Sequence, residues 1–230
     1  MIGFYDYTVI LTYLSLLSAS FGIIISLSGY GHPYLGGFFL LFCGLCDAFD
    51  GKVARTKKDR SSEEQSFGIQ IDSLSDLVAF GVLPACIGSA MLRISPLMHL
   101  LGESFGEVWR KALTAVLTAL LVLYVLAALI RLAYFNVTEE QRQKTEDGVR
   151  KFYTGLPVTS AALIFPFILL LQYIIPTDIT PVYFASAVIT GFAFLGKFKI
   201  KKPGLKGILI MVGIGTIEFL LMLIGKILKC

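Results

Sequence analysis

The chain has 230 residues, 56% of them hydrophobic and only 16% charged, with a mean hydropathy of +0.77. Charged residues usually make up about a quarter of a soluble domain, so this composition excludes an ordinary soluble globule and points to an integral membrane protein. The net charge of +4 says less than its distribution, and nothing in it calls for a nucleic-acid partner.

Seven apolar segments approach the roughly 20 residues that a helix needs to cross a bilayer. They run over about 8–29, 34–54, 69–92, 113–135, 156–175, 180–196 and 205–227. No period-two alternation suggests a barrel, and backbone groups in lipid must bond within their own segment. The reading is therefore an all-α, polytopic transmembrane helix bundle of about seven spans (six to eight), forming a single domain over residues 1–230. The first segment counts as a span because Met1–Thr8 lacks Lys and Arg, Asp6 is acidic there, and no small-residue cleavage site follows, unlike a signal peptide. Residues 96–108 suit a short interfacial helix. The polar stretches 56–67 and 136–153 read as loops, the second either a mobile or helical cover over a site or a solvated linker.

Basic residues follow alternate segments. Lys52, Arg55, Lys57, Lys58 and Arg60 come after the second, Arg131, Arg142, Lys144, Arg150 and Lys151 at or after the fourth, and Lys197, Lys199, Lys201, Lys202 and Lys206 after the sixth. The positive-inside rule puts these connections and the N-terminus in the cytoplasm. Seven spans then leave Lys226 and Lys229 outside, against the rule. Attraction to anionic headgroups is a second role for the basic loops. Cys43, Cys46, Cys86 and Cys230 make no disulfide framework, and Cys43-x-x-Cys46 lacks the second pair or nearby His of a zinc site. His32 and His99 are isolated.

Four carboxylates stand out: Asp47 and Asp50 near the end of the second segment, Asp72 and Asp76 near the start of the third. Ionisable groups at membrane depth persist mainly where they pair, line a wet cavity or bind something. Asp47 and Asp50 are three apart, Asp72 and Asp76 four apart, so each pair shares a helix face. A short connection makes the two helices antiparallel neighbours, and the four carboxylates converge. Clustered anions repel strongly in a low dielectric unless cations compensate them. The all-oxygen donor set favours Mg²⁺, Mn²⁺ or Ca²⁺, and the ligand supply suits two ions rather than one. Such a centre commonly holds phosphates and can clamp the attacking and leaving oxygens of a displacement. Gly51, Ala54 and Gly68 leave room for a nucleotide, Arg55 can reach phosphate, and a carboxylate partly free of metal can act as a base. The competing reading is interfacial salt bridging of the aspartates with Lys52, Arg55 and Lys57.

The pattern Asp47-x-x-Asp50-Gly51-x-x-Ala54-Arg55, then Gly68-x-x-x-Asp72-x-x-x-Asp76, resembles the signature of the CDP-alcohol phosphotransferases, here over residues 47–76. The connection 56–67 is longer than the family usually has, and the extra residues fall in a charged stretch. Ile71–Ala85, Arg131–Asn136 and Phe152–Pro157 are similar to segments of one branch, the membrane-integral phosphatidylserine synthases. The resemblance covers about residues 34–165. It implies transfer of a phosphatidyl group from CDP-diacylglycerol to L-serine, with CMP leaving, at the cytoplasmic membrane, and a homodimer. It further implies Asp47, Asp50, Asp72 and Asp76 as metal ligands, Asp76 also as the base, and Asp47, Gly51, Ala54, Arg55, Gly68 and Asp72 as the CDP site. Serine needs a carboxylate anchor, for which Arg131 is a candidate with Arg150 or Lys151, while Asn136, Tyr153 and Thr154 offer hydrogen bonds.

Two rivals remain at this level. One is the same chemistry with glycerol 3-phosphate or an inositol species as acceptor. The other is a divalent-cation transporter, whose acidic residues would continue across the bilayer, yet Glu218 is the one obvious acid well inside a later span. Phe38, Phe39, Phe42 and Phe165 read as lipid-facing or packing surface rather than as an acyl cleft.

Overall fold

The computed structural model describes residues 3–28, 33–145, 152–175, 177–201 and 204–228. The expected segments are all helices: α1 (Ile10–Leu27), α2 (Pro33–Ala54), α3 (Ser62–Asp76), α4 (Leu83–Ile94), α5 (Pro96–Phe105), α6 (Glu107–Thr145), α7 (Ala161–Ile174), α8 (Thr180–Leu195) and α9 (Leu205–Leu228). A π-helical turn, Leu77–Val82, joins α3 to α4, so that Ser62–Ile94 runs as one span. Four helical runs are long and apolar enough to cross a membrane: α1, this composite, α6 to Arg142, and α9 from Lys206. The apolar helices α7 and α8 are shorter, and α2, at 22 residues, carries its aspartates in its last turns. The molecule is a multi-pass helical bundle, and α5 is the expected short helix beside 96–108.

Outward faces are apolar. Leu14, Leu17, Phe21 and Ile24 of α1, Val122, Leu126 and Ile130 of α6, and Ile210, Ile217 and Leu221 of α9 are exposed. Patches of that extent are rare on soluble monomers and suit contact with lipid. Inside, Phe80, Leu83, Ile87, Phe165, Leu169 and Tyr183 are fully buried. Phe165 therefore belongs to the packing and not to the lipid face. Its ring packs edge-on to Tyr124 at 5.5 Å and lies 5.0 Å from Tyr183. Where α2 crosses α7, a methyl group on Gly44 would stand 2.5 Å from the Ala162 Cβ, so only glycine permits that approach.

Two loop expectations change. The connection 56–67 is already helical from Ser62, because Ser61 and Glu64 form a capping box: the Ser61 hydroxyl accepts from the Glu64 N–H at 3.1 Å and the Glu64 carboxylate from the Ser61 N–H at 2.9 Å. The stretch 136–153 is no loop in its first part either, since α6 continues to Thr145. Asn136 donates to the Ser73 hydroxyl at 2.7 Å, tying α6 to α3, and Arg142 pairs with Glu139 at 2.6 Å along the helix.

A small antiparallel ribbon was not expected. Phe152–Thr154 (β1) pairs with Lys199–Lys201 (β2), Tyr153 opposite Ile200. Gly155 turns the chain out of β1 with φ +74°, and a Cβ there would meet the Gly196 carbonyl at 2.7 Å. Its N–H donates to Phe198 O at 2.7 Å and that of Leu156 to Ala193 O at 3.0 Å. The run Tyr153–Pro157 is thus pinned to the end of α8 rather than being a free turn before α7.

Candidate active site

Asp47 and Asp50 in the last turns of α2 face Asp72 in α3, and one carboxylate oxygen from each lies within 4.8 Å of the others. Two metal–oxygen bonds of ~2.0–2.6 Å span such a gap. The donors are all hard oxygens, so the residues fit a divalent cation of the Mg²⁺, Mn²⁺ or Ca²⁺ kind. Among the described residues no ion pair joins the four aspartates to Lys52, Arg55 or Lys57, the three expected partners; Lys57 bonds Asp6 and Glu64 instead, each at 2.8 Å. That leaves the four carboxylates without a direct ion pair among the described residues, so their mutual repulsion favours a bound cation. The Asp50 carboxylate does accept the Gly51 N–H. Asp76, the last residue of α3, is buried at 8% exposure and stands outside the triad of closest oxygens.

All four carboxylates line one cavity of about 890 Å³. Its polar end also receives Gly51, Lys52, Arg55, Arg131 and Tyr153. Its apolar end runs between α2, α7 and α9, past Leu41, Leu45, Leu163, Met211, Val212 and Phe219. Glu218 lies outside it, so the acidic residues lining the cavity stay at one end and trace no path across the bundle. A compartment with oxygen ligands and cations at one end and a hydrocarbon wall at the other matches an amphiphile carrying a phosphate head.

Comparison with known proteins agrees. The sequence profile of CDP-alcohol phosphatidyltransferase matches residues 8–196. The chain belongs to this family. It is also 36% identical over 142 residues to a CDP-diacylglycerol–serine O-phosphatidyltransferase of Saccharomyces cerevisiae, covering 60% of this chain and 43% of the relative. A protein of the same description from Helicobacter pylori is 32% identical over 120 residues, 52% of this chain and 39% of the relative. An archaetidylserine synthase of Methanothermobacter thermautotrophicus is 34% identical over 152 residues, 65% of this chain and 53% of the relative. The chain therefore spans about half, or less, of the length of these relatives.

The family is metal-dependent, and Asp47, Asp50 and Asp72 form a set that can hold a metal ion. Of the expected nucleotide residues, Asp47, Gly51, Arg55 and Asp72 line the cavity, whereas Ala54 and Gly68 do not. A Cβ on Gly68 would meet the Arg60 guanidinium at 2.6 Å, so Arg60, from the longer connection, lies against that glycine. On Gly51 the nearest atom would be the tip of Arg55 at 3.4 Å.

The expected serine residues divide. Arg131 is buried at 6% exposure, donates from Nε to Leu156 O at 3.2 Å, and lies 5.4 Å from the centre of the Phe135 ring. Tyr153 also lines the cavity, its ring 5.9 Å from the same Phe135. Asn136 and Thr154 are not cavity residues: the first binds Ser73 and the second pairs with Lys199 in the ribbon. Arg150 and Lys151 lie outside the described residues. Sequence reasoning missed Lys52 and Ile200 as lining residues. The Lys52 ammonium is buried over the Phe49 ring at 5.1 Å and has no hydrogen-bond partner among the described residues. Ile200 enters through the ribbon, for which three residues of β-character give no recognisable signal.

Proposed function

We propose that this chain transfers a phosphatidyl group from CDP-diacylglycerol to L-serine, giving phosphatidylserine and CMP. The observation that carries it is the single cavity joining the aspartate cluster, Arg131 and an apolar wall. The choice of serine is supported by the relatives, whose names share serine as the alcohol although their lipid parts differ.

In this reading Asp47, Asp50, Asp72 and Asp76 would hold divalent metal, Mg²⁺ or Mn²⁺, with a ligand supply that suits two ions. Bound there, divalent cations would neutralise the diphosphate and polarise the phosphorus under attack. Asp47, Gly51, Arg55 and Asp72 form the nucleotide side, with Gly51 admitting the nucleotide close to α2. Arg131 holds the serine carboxylate with its planar fork, and Tyr153 supplies a hydroxyl beside it. The serine hydroxyl oxygen attacks the lipid-side phosphorus as its proton passes to the Asp76 carboxylate. The bond from that phosphorus to the CMP oxygen breaks, and CMP leaves. The buried setting of Asp76 keeps competing water from the base.

The chain acts in the cytoplasmic membrane as one catalytic domain, its aspartate end facing the cytoplasm. Support comes from Lys52, Arg55, Lys57, Arg60 and Arg142, which gather at the same end of the helices as the cavity's polar mouth. Family resemblance supports a homodimer. The deciding test is an acceptor panel on purified protein with CDP-diacylglycerol and Mg²⁺ or Mn²⁺. Serine-dependent CMP release is expected. Release that instead requires glycerol 3-phosphate or inositol would overturn the acceptor assignment.

A further inference from the structure

Asp76 is the last α-helical residue before the π turn Leu77–Val82, in which the Leu83 N–H reaches back five residues to Val78 O. Pro84 follows in the first turn of α4. Proline has no N–H, so the Phe80 carbonyl, four residues earlier, loses its ordinary helical donor. A buried carbonyl without a partner is costly. Here a side chain from another helix supplies the bond: the Tyr124 hydroxyl of α6 donates to Phe80 O at 2.6 Å. The Tyr183 hydroxyl of α8 likewise donates to Pro84 O at 2.7 Å. Phe80 and Tyr183 are fully buried and Tyr124 is 2% exposed, so water cannot replace either donor.

A π turn holds one more residue than an α turn, which rotates everything on one side of it by ~100° relative to the other. Leu83 and Ile87 beyond the turn pack against Gly22 of α1 and Gly36 of α2, and Gly88 against Leu121 and Tyr183. With α4 locked there, the winding of Leu77–Val82 sets the direction in which Asp76 points. We infer that Tyr124 and Tyr183 are positioning residues for Asp76: Tyr124 bonds the carbonyl that Pro84 deprives of its helical donor, Tyr183 braces the first turn of α4, and together they fix the rotation of this carboxylate relative to Asp47, Asp50 and Asp72. Neither tyrosine touches the cavity. Their role is exerted through the backbone. The inference rests on the assignment of Asp76 to the transfer step.

Tyr124→Phe removes the donor and keeps the ring that packs on Phe165 and Phe194. In the full chain, kcat for CMP release is expected to fall by ~10-fold or more, with KM for CDP-diacylglycerol nearly unchanged, as for other supports of a site residue. Mn²⁺ affinity, titrated without substrate, is expected to weaken in the same variant, and not to weaken further when Asp76→Asn is added. Pro84→Ala is the second arm. It returns an N–H to Phe80 O, lets the turn close as α-helix without touching α6, and is expected to lower kcat as well. Unchanged kcat in either variant overturns the inference, as does a loss of kcat accompanied by unaltered Mn²⁺ affinity. Wild-type protein that releases no CMP with serine would instead overturn the acceptor assignment, while the Mn²⁺ titrations still decide the positioning role.

Discussion

The two walls of the cavity are built in different ways. The acidic wall comes from α2 and α3, which are consecutive in the chain, and its residues meet because helical periodicity and one short connection bring them together. The opposite wall takes Arg131 from the interior of α6, Tyr153 and Ile200 from the ribbon, Leu163 from α7 and Val212 from α9. It has no periodicity of its own and exists only once distant helices have packed. The metal-ligand pattern thus sits on a local scaffold, whereas the wall proposed to recognise the acceptor sits on a tertiary one.

The sharpest way to break this division is at Asp76. Asp76→Asn keeps the shape but removes the base, and turnover should fall by ~10²–10⁴, the usual range for general-base catalysis. CMP release measures this, and near-normal turnover would remove Asp76 from the mechanism. Chelation is a second test of the acidic wall. EDTA should abolish CMP release and excess Mg²⁺ or Mn²⁺ should restore it, whereas persistence of activity through exhaustive chelation contradicts a metal held by the triad. On the other wall, Arg131→Lys keeps the charge and loses the planar fork. KM for serine should rise by ~10-fold or more while KM for CDP-diacylglycerol stays level, since one charge-assisted hydrogen bond is worth ~1.5–3 kcal/mol. A parallel rise in both would place Arg131 with the nucleotide instead.

Two glycines on the same helix give a smaller and cleaner contrast. Gly44→Ala drives a methyl group into Ala162, and overpacking of that kind costs ~1–3 kcal/mol. Gly51→Ala meets only the tip of Arg55 and should raise helix stability by ~0.5–1 kcal/mol. Thermal unfolding should rank them in that order, and CDP affinity in the reverse one. The smallest effect lies outside the cavity. The hydrogen bond from Lys57 is the largest of several that hold the Asp6 carboxyl down to about 2 from an ordinary 3.8. A depressed carboxyl stabilises the fold above its unfolded value, so this tether to the N-terminal segment should be intact above pH 4 and be lost as pH falls toward 2. A pH titration of Tm comparing wild type with Lys57→Met reads it, the two curves converging at the acid end.

Much of the acidic wall was legible beforehand. Asp47 and Asp50 are three apart on one segment and Asp72 and Asp76 four apart on the next, and the structure brings oxygens of Asp47, Asp50 and Asp72 within 4.8 Å of one another. Ala54 and Gly68 carry the same pattern but stand off the cavity, because a pattern of spacing does not reveal that Arg60 lies over Gly68. On the other wall, Arg131, Asn136, Tyr153 and Thr154 were equal candidates in the sequence; the structure puts Arg131 and Tyr153 in the cavity lining and turns Asn136 toward Ser73 and Thr154 into the ribbon.

By itself the sequence determined the helical class, the approximate limits of each segment and the convergence of the aspartates. These follow from local rules: runs of apolar residues, 3.6-residue periodicity and the cost of charge in lipid. Tertiary structure alone decided the extension of α6 to Thr145, the ribbon that carries Tyr153, the π turn behind Asp76 and the union of both walls in one cavity. Each of these depends on a partner distant in the chain, such as Ser73 for Asn136 or Tyr124 for the Phe80 carbonyl, and a bond between remote residues leaves no spacing to read.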